Sequence, residues 1–290
     1  MALSKLQFRP GVNREVTSYT NEGGWFDIDH VRFQKGFPEK IGGWQKSSSN
    51  SFLGTCRALH PWVSLDRDRY IGVGTHLKYY IDEGGFYNDI TPIRLTTAAG
   101  DVTFAATNGS YTITVTDASH GAVVNDFVTF SGAASLGGNI TAAVLNQEYQ
   151  ITEVVDNNSY KIDARAANTP IYDITVDGQL TPTYVTANGS DSGNGGGSVV
   201  GAYQINTGLD ITVSGAGWGA GTWSRGTWGS ASTDPIVSNT IRLWSHDNFG
   251  EDLLINVRDG GIYYWDQTGT VNTRAVDITT LAGGQSVPTV

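Results

Sequence analysis

Apolar and polar positions alternate with a period of two in many short stretches of this chain, and no segment keeps a helical period for long. Examples are "SYTITVTD", "DFVTFSG", "EYQITEVVD" and "SYKIDA", in which Ile, Val, Tyr or Phe alternates with Thr, Asp, Glu or Lys. This alternation is typical of antiparallel strands with one buried face. Turn-forming pairs such as Asn108-Gly109 and Asn157-Asn158 separate the stretches. The pattern predicts an all-β protein.

A longer unit occurs twice, at 42–91 and 226–279. Both copies run through a Gly-x-Trp triplet, a Ser-rich loop, an Arg, a second Trp, a tyrosine pair and a final Asp-Ile-Thr. The alignment matches Gly42, Trp44, Arg57, Trp62, Tyr79, Tyr80 and Asp89 with Gly226, Trp228, Arg242, Trp244, Tyr263, Tyr264 and Asp277. Each copy has the length of a β-propeller blade, so we expect a partial propeller. A ring needs at least about four blades, so further blades should follow or come from neighbouring chains.

The residues between the two copies differ in composition. No tryptophan occurs between Trp62 and Trp218, although the chain has eight. We expect 95–185 to form an inserted small β-sandwich or barrel that can be excised without unfolding the rest, and 186–225 to be a Gly/Ser/Trp-rich linker. The other predicted parts are an N-terminal arm with the first strands at 1–41, the first blade-like repeat at 42–94 and the second at 226–290.

Charge and cysteine content narrow the function classes. Residues 1–94 hold 12 Lys or Arg against 10 Asp or Glu, while 95–290 hold 6 against 18, for a net charge of −10. An acidic body argues against tight binding to nucleic acid, because no counterion release would drive it. The single cysteine, Cys56, excludes an intrachain disulfide and suits assembly in a reducing cytoplasm. We find no transmembrane run and no signal peptide.

Residues that could carry chemistry are few. The five histidines lie far apart without metal-ligand spacing, and no nucleophile elbow or phosphate loop occurs. We expect no catalytic residue, no cofactor and no metal. Paired carboxylates can hydrolyse glycosides, but on predicted loops they are more often solvated charges. The acidic candidates are Asp66, Asp68, Asp247, Glu251 and Asp252.

Two segments are candidates for an interface. Trp218 and Trp223 belong to a Gly-Trp stretch in which tryptophan recurs every five residues, and they could stack on sugars or pack in a subunit contact. We favour packing. Arg9, Arg14 and Glu15 lie in a polar stretch that is typical of an arm that orders against a neighbour, or of a frayed terminus.

Three segments resemble one family: "LQFRPGVNREVTSYTNEGGWFDIDHVRFQKGFPEKIGGW", "ITVTDASHGAVVNDFVTFSGA" and "IRLWSHDNFGEDLLIN". The family comprises tail proteins of tailed bacteriophages that are labelled structural or packaged-DNA stabilisation proteins. The resemblance covers most of the chain. It implies a component of the tail nozzle or hub, with a β-propeller and appended β domains, that helps to retain the genome and to pass it at infection.

The resemblance also implies the partners. They are other copies of the chain in a ring, often of six, other tail proteins such as adaptors and fibres, and DNA in transit without tight binding, with no membrane. The location would be the virion tail, assembled in the host cytoplasm. Two other classes remain open: a carbohydrate-binding receptor module, and a glycan hydrolase that uses Asp66, Asp68 or Asp252.

Overall fold

A computed structural model describes residues 9–17, 19–43, 45–46, 48–171, 182–207, 243–258 and 260–281. The chain divides into two compact units, Met1–Ser49 and Asn50–Val290. The prediction of an all-β protein is confirmed: the described residues form antiparallel sheets, with a short α-helix at Ala142–Leu145 and a 3-10 turn at Ile278–Thr280. None of the helices in these ranges has the length and apolar character needed to cross a membrane.

The described residues of the first unit form a hairpin, made of β1 (Val31–Gln34) and β2 (Phe37–Lys40). Its two-residue turn, Lys35-Gly36, has φ values of +51° and +85°, as the tight turns that match strand twist require. The preceding segment is not simply extended. Val12 forms a parallel bridge with Trp25, and the amide of Arg9 donates to the carbonyl of Gly23 at 2.7 Å. The predicted arm therefore has backbone hydrogen bonds of its own.

The second unit begins with a four-stranded antiparallel sheet in sequential order. Its strands are β3 (Cys56–Val63), β4 (Arg69–Thr75), β5 (Tyr79–Glu83) and β6 (Phe86–Asp89). We call it the first sheet.

A seven-stranded antiparallel sheet, the inserted sheet, follows. Its order is β7-β13-β10-β11-β12-β9-β8, with β7 at Ile93–Thr96, β8 at Thr103–Ala106, β9 at Thr112–Thr116, β10 at Phe127–Ser131, β11 at Glu148–Asp156, β12 at Ser159–Asp163 and β13 at Val200–Gln204. Phe104 of β8 packs edge-on against Phe130 of β10, with ring centroids 5.0 Å apart, so the sheet curls around one core.

The inserted sheet has wider limits than the predicted 95–185. Its last strand, β13, pairs with both β7 and β10, because Tyr203 lies opposite Leu95 on one side and Val128 on the other. The completely buried Tyr203 belongs to the core of this sheet. The sheet therefore runs from Ile93 to Gln204, and the sequence signal ended early because Gly-rich residues precede β13.

The segment 186–198, part of the predicted linker, is tied into the inserted sheet. The buried carboxylate of Asp191 accepts hydrogen bonds from the backbone N–H groups of Gly138, Asn139, Ile140 and Asn188 at 2.8–3.0 Å. Its glycines permit close approach: a Cβ at Gly193 would lie 2.9 Å from the carbonyl oxygen of Leu136. Here glycine reflects tight packing rather than the flexible linker that we predicted.

The last sheet, the second sheet, again has four antiparallel strands in sequential order. They are β14 (Trp244–Phe249), β15 (Asp252–Val257), β16 (Ile262–Trp265) and β17 (Val276–Asp277).

The Asp-Ile-Thr ending forms the same turn in both repeats. The amide and hydroxyl of Thr91 donate to Asp89 Oδ1 at 2.9 and 2.6 Å, and those of Thr279 donate to Asp277 Oδ1 at 2.9 and 2.7 Å. Asp89 lies opposite Tyr80, and Asp277 lies opposite Tyr263. With the aspartates superposed, Tyr80 is therefore equivalent to Tyr263.

This equivalence corrects two details of the sequence alignment. The tyrosine pairs are offset by one residue: Tyr80, the second tyrosine of its pair, is equivalent to Tyr263, the first tyrosine of the other pair. The match of Trp62 with Trp244 is wrong: Trp62 lies opposite Tyr70 near the β3–β4 turn, whereas Trp244 lies opposite Val257 at the far end of β14. Trp44, Trp228 and Arg242 lie outside the described residues.

The first and second sheets pack on each other front to back. Residues alternate between the two faces of a strand, and Tyr79 and Ile81 of the first sheet belong to the shared core, so Tyr80 faces the other way. In the second sheet, by contrast, Tyr263 packs against that core. Because Tyr80 and Tyr263 are equivalent, the two sheets bury opposite faces against each other.

Aromatic contacts fill this interface. The indole of Trp244 lies over Gly74, where a Cβ would be 2.5 Å from the ring, and its Nε1 donates to the carbonyl of Thr75 at 2.6 Å. Trp265 packs edge-on against Trp62 and Tyr70. These side chains join the two sheets into one core.

The structure changes the limits of the deletion that we expect to leave a folded protein. Removal of 93–204 should leave a soluble, cooperatively melting protein, because the amide of Ile205 already donates to the carbonyl of Pro92 at 3.0 Å and a short Gly-Ser loop can join them. Removal of 95–185 should give insoluble protein, because β13 and Tyr203 would remain without partners. Soluble yield and thermal melts of both deletions test this, and equal behaviour of the two would contradict it.

Candidate functional site

A buried lysine stands where the three sheets of the second unit meet. Thr75 Oγ1 accepts hydrogen bonds from the amides of Leu77 and Lys78 at 3.1 and 2.8 Å, which fixes the turn into β5. The Lys78 side chain is 2% exposed, and its Nζ lies 2.6 Å from both Asp89 Oδ2 and Glu148 Oε1. It thereby connects the first sheet to the inserted sheet.

Arg274, from the loop before β17, completes the cluster. Its guanidinium donates to Asp89 Oδ1 at 2.8 Å and to the carbonyl of Thr91 at 3.0 Å, and lies 3.8 Å from Glu148 Oε1. Gln204 Nε2 also donates to Glu148 Oε1. We call Lys78, Asp89, Glu148 and Arg274 the ion network. Its two positive and two negative side chains balance, and each of the three sheets contributes to it.

The electrostatics of the ion network favour a structural role. Burial alone would raise the pKa of Asp89, but the nearby charges of Lys78 and Arg274, with hydrogen bonds from Lys78 and Thr91, lower it below its ordinary value. The carboxylate therefore stays ionised at neutral pH, and it is a poor proton donor or acceptor there. The network fixes the orientation of the inserted sheet on the other two.

A second polar cluster lies inside the interface between the first and second sheets. His60 Nε2 lies 2.6 Å from Asn248 Oδ1, and the rings of His60 and His246 are 4.7 Å apart. The Tyr79 hydroxyl lies 3.2 Å from His246 Nδ1. Burial lowers the pKa of His246 most, and the charge of His60 lowers it further. The charge of Asp247 acts in the opposite direction but does not reverse the shift. The cluster is therefore built around a neutral imidazole.

Two of the loop carboxylates accept hydrogen bonds from neighbouring segments of the fold. Glu251 accepts a hydrogen bond from the amide of Leu65 at 2.5 Å. Asp252 accepts hydrogen bonds from the Tyr264 hydroxyl and, at 2.9 Å, from the amide of Gln267. That bond to Asp252 is the main reason why the pKa of Tyr264 rises to about 12.

The remaining acidic candidates do not form a cluster. Asp68 closes the β3–β4 turn by accepting, through its carbonyl, the amide of Ser64 at 3.0 Å, while Asp66 and Asp247 are exposed. Across the described ranges, no group of three or more His, Cys, Asp or Glu side chains could hold a metal ion.

Two surface recesses accompany these clusters. One, of about 480 Å³, lies on the polar face of the inserted sheet and is lined by Thr107, Ser110, Thr112, Thr114, Thr152, Glu153, Lys161 and Asp163. The other, of about 220 Å³, lies on the second sheet and is lined by Ser245, His246, Asp247, Leu254, Ile255, Asn256 and Ile262. We call this second one the apolar recess.

The predicted interface residues are only partly described. Arg9, Arg14 and Glu15 are exposed, and the guanidinium of Arg14 is paired with Asp27 and donates to the carbonyl of Phe26 at 3.3 Å. Trp218 and Trp223 lie outside the described residues. The ion network was not found from the sequence, because its members are distant along the chain and share no motif.

The Glu148→Gln variant should lose stability, because it leaves the buried Lys78 and the partly exposed Arg274 with one carboxylate instead of two. Removing one partner of a buried pair typically costs about 3–5 kcal/mol. Glu153→Gln is the matched control: it breaks the exposed Lys161–Glu153 pair of the same sheet and should cost less than about 1 kcal/mol. Urea unfolding measures both, and similar losses would contradict a special role for the network.

Stability should also fall as the pH falls below about 6.5, the ordinary histidine pKa. The folded protein binds a proton at His246 more weakly than the unfolded chain does, so stability is complete above the unfolded pKa and is lost below it. His246→Gln should flatten this slope in thermal melts between about pH 7.5 and about pH 5.5. His30→Gln, at an exposed histidine, is the control, and an unchanged slope in His246→Gln would refute the assignment.

Comparisons with known proteins give little similarity. No protein-family profile matches the chain, and no curated protein sequence matches it. Among solved structures, the phage phi92 endosialidase matches 77% of this chain at 12% sequence identity with a TM-score of 0.21. The matched region spans only 30% of the endosialidase chain. Similarity at this level does not assign a fold, an activity or a binding partner to this protein.

Proposed function

We propose that the chain is a structural component of a bacteriophage tail, of the nozzle or hub type, that forms part of the channel retaining and then passing the genome. The observation that carries this proposal is the front-to-back packing of two equivalent four-stranded sheets, which is how the blades of a propeller pack. Such packing can continue through further units, whereas two sheets that bury equivalent faces close on themselves.

The ion network is a second observation that supports a structural role. A domain held to its neighbours by a flexible linker would move freely, but the inserted sheet is fixed to Lys78 by Glu148, which also accepts a hydrogen bond from Gln204 of its own sheet. The tail motifs of the sequence add support of a different kind, since they resemble those of phage structural proteins. Copies of the chain and other tail proteins are the partners that this proposal requires.

We propose no catalytic role. Asp252, one of the carboxylates that a glycan hydrolase would use, already accepts hydrogen bonds from the Tyr264 hydroxyl and the Gln267 amide. A hydrolase would instead keep one carboxyl protonated near neutral pH and a second one free beside it.

The charge of the chain suits a wall past which DNA moves. Residues 95–290 carry 6 basic and 18 acidic side chains, so a phosphate backbone would be repelled and would not adhere. Asp266, an exposed side chain at the start of the loop between β16 and β17, is one acidic point of this surface.

Two measurements test the proposal on phage particles. Electron microscopy of tails should place the chain in a ring with a central hole, and particles that lack it should lose their genome. The isolated chain should bind duplex DNA no better than a neutral protein at low salt. Tight binding by the native chain, or its absence from the tail, would refute the proposed role.

A charge reversal sharpens the test. The double change Asp266→Lys and Asn272→Lys should create measurable DNA binding at low salt and slow genome release from intact particles. Asp266→Asn with Asn272→Gln is the matched control, because it alters the same loop without adding positive charge. Unaltered release in the lysine variant would place this loop away from the channel.

A further inference from the structure

The outward face of the first sheet exposes several apolar side chains. Leu59 and Val63 are each 62% exposed, and Ile71 on the neighbouring strand is 36% exposed. The β5 side of the same face is covered, since Phe52 packs against Tyr80 and Tyr87 with ring centroids 6.2 and 5.0 Å away. The uncovered apolar part therefore lies along β3 and β4.

This face is equivalent to one that is buried elsewhere in the same chain. Tyr80 belongs to the outward face, and its equivalent, Tyr263, packs in the core between the two sheets. The outward face of the first sheet is thus equivalent to the face of the second sheet that packs against another sheet. The same holds in reverse for the outward face of the second sheet, which carries the apolar recess.

The register identifies which residues correspond. Leu59 lies opposite Val73, which lies opposite Tyr80. His246 lies opposite Ile255, which lies opposite Tyr263. Leu59 is therefore equivalent to His246.

The same equivalence can be extended to the residues that contact His246 in the internal interface, His60 and Tyr79. His60 follows Leu59 and Asp247 follows His246, so these two correspond. By the same offset, Tyr79 corresponds to Ile262.

The internal interface shows what this position contacts. His246 packs against His60, with ring centroids 4.7 Å apart, and lies 3.2 Å from the hydroxyl of Tyr79. If the same packing were repeated between two chains, Leu59 of one would lie against Asp247 and Ile262 of the other. Both of these residues line the apolar recess.

We infer that the apolar recess receives Leu59 of a second copy of this chain. The contact joins different faces of the two copies, so it is head-to-tail and produces a ring if the rotation closes, or a filament if it does not. The inference names the self-contact of the proposed tail component and rests on that proposal for its biological setting. The contact itself follows from the register and the exposed side chains.

Crosslinking tests the contact directly. In a Cys56→Ser background, chains with Leu59→Cys are mixed with chains carrying Asp247→Cys and treated with a short thiol-reactive crosslinker. We expect a dimer that contains one chain of each kind. Phe86→Cys is the matched control for Leu59→Cys, because Phe86 is 66% exposed on the same sheet but lies outside the predicted contact. Equal crosslinking by the control would overturn the inference.

Self-association of the full chain provides a second readout. Leu59→Asp should weaken association about 10- to 100-fold in sedimentation velocity, since it places a charge in an apolar recess, whereas Phe86→Asp should leave it unchanged. A thermal melt confirms that each variant is folded. A wild-type chain that stays monomeric, or a Leu59→Asp chain that associates normally, would overturn the inference.

These outcomes separate the inference from the proposed function. A chain that assembles in tails through other faces would refute the Leu59 contact and leave the structural role intact. A chain absent from tails would refute the role, while the Leu59 contact would still be measurable in solution.

Discussion

The second unit depends on one buried amine. Lys78 is almost completely removed from water, and an isolated ammonium in that position would cost several kcal/mol. Two carboxylates offset this cost, and they come from different sheets. The inserted sheet can therefore dock in one orientation only, because any other would leave Lys78 without Glu148. Apolar contacts alone would permit small rotations, which the 2.6 Å contact between Lys78 Nζ and Glu148 Oε1 opposes.

The all-β architecture and the duplicated unit could be predicted from the sequence, since alternation and repetition are local signals. The Asp-Ile-Thr match proved structural, because the aspartate accepts from the threonine in both copies. The tryptophan match did not, because composition alone cannot reveal the register of a strand. The same local reasoning led to a flexible linker at 186–198, where glycines permit close packing around Asp191.

The candidate sites were harder to predict for a related reason. Lys78 and Glu148 are 70 residues apart, and Arg274 is 185 residues from Asp89, so only the folded chain brings them together. His60 and His246 carry no motif at all. Their contact arises because two sheets bury opposite faces, and this arrangement depends on a one-residue offset that the tyrosine pairs conceal. The residue types indicated which side chains could carry chemistry, but only the register of the strands showed which of them lie together.

The two connections to the inserted sheet lie side by side, at Pro92 and Ile205. A domain attached in this way can be exchanged by recombination between genes, because its replacement leaves the path of the surrounding chain unchanged. Any replacement, however, inherits the buried amine of its host. In homologues we therefore expect the inserted domains to diverge freely on their exposed loops, while a carboxylate at the position of Glu148 and the lysine at position 78 are gained or lost together.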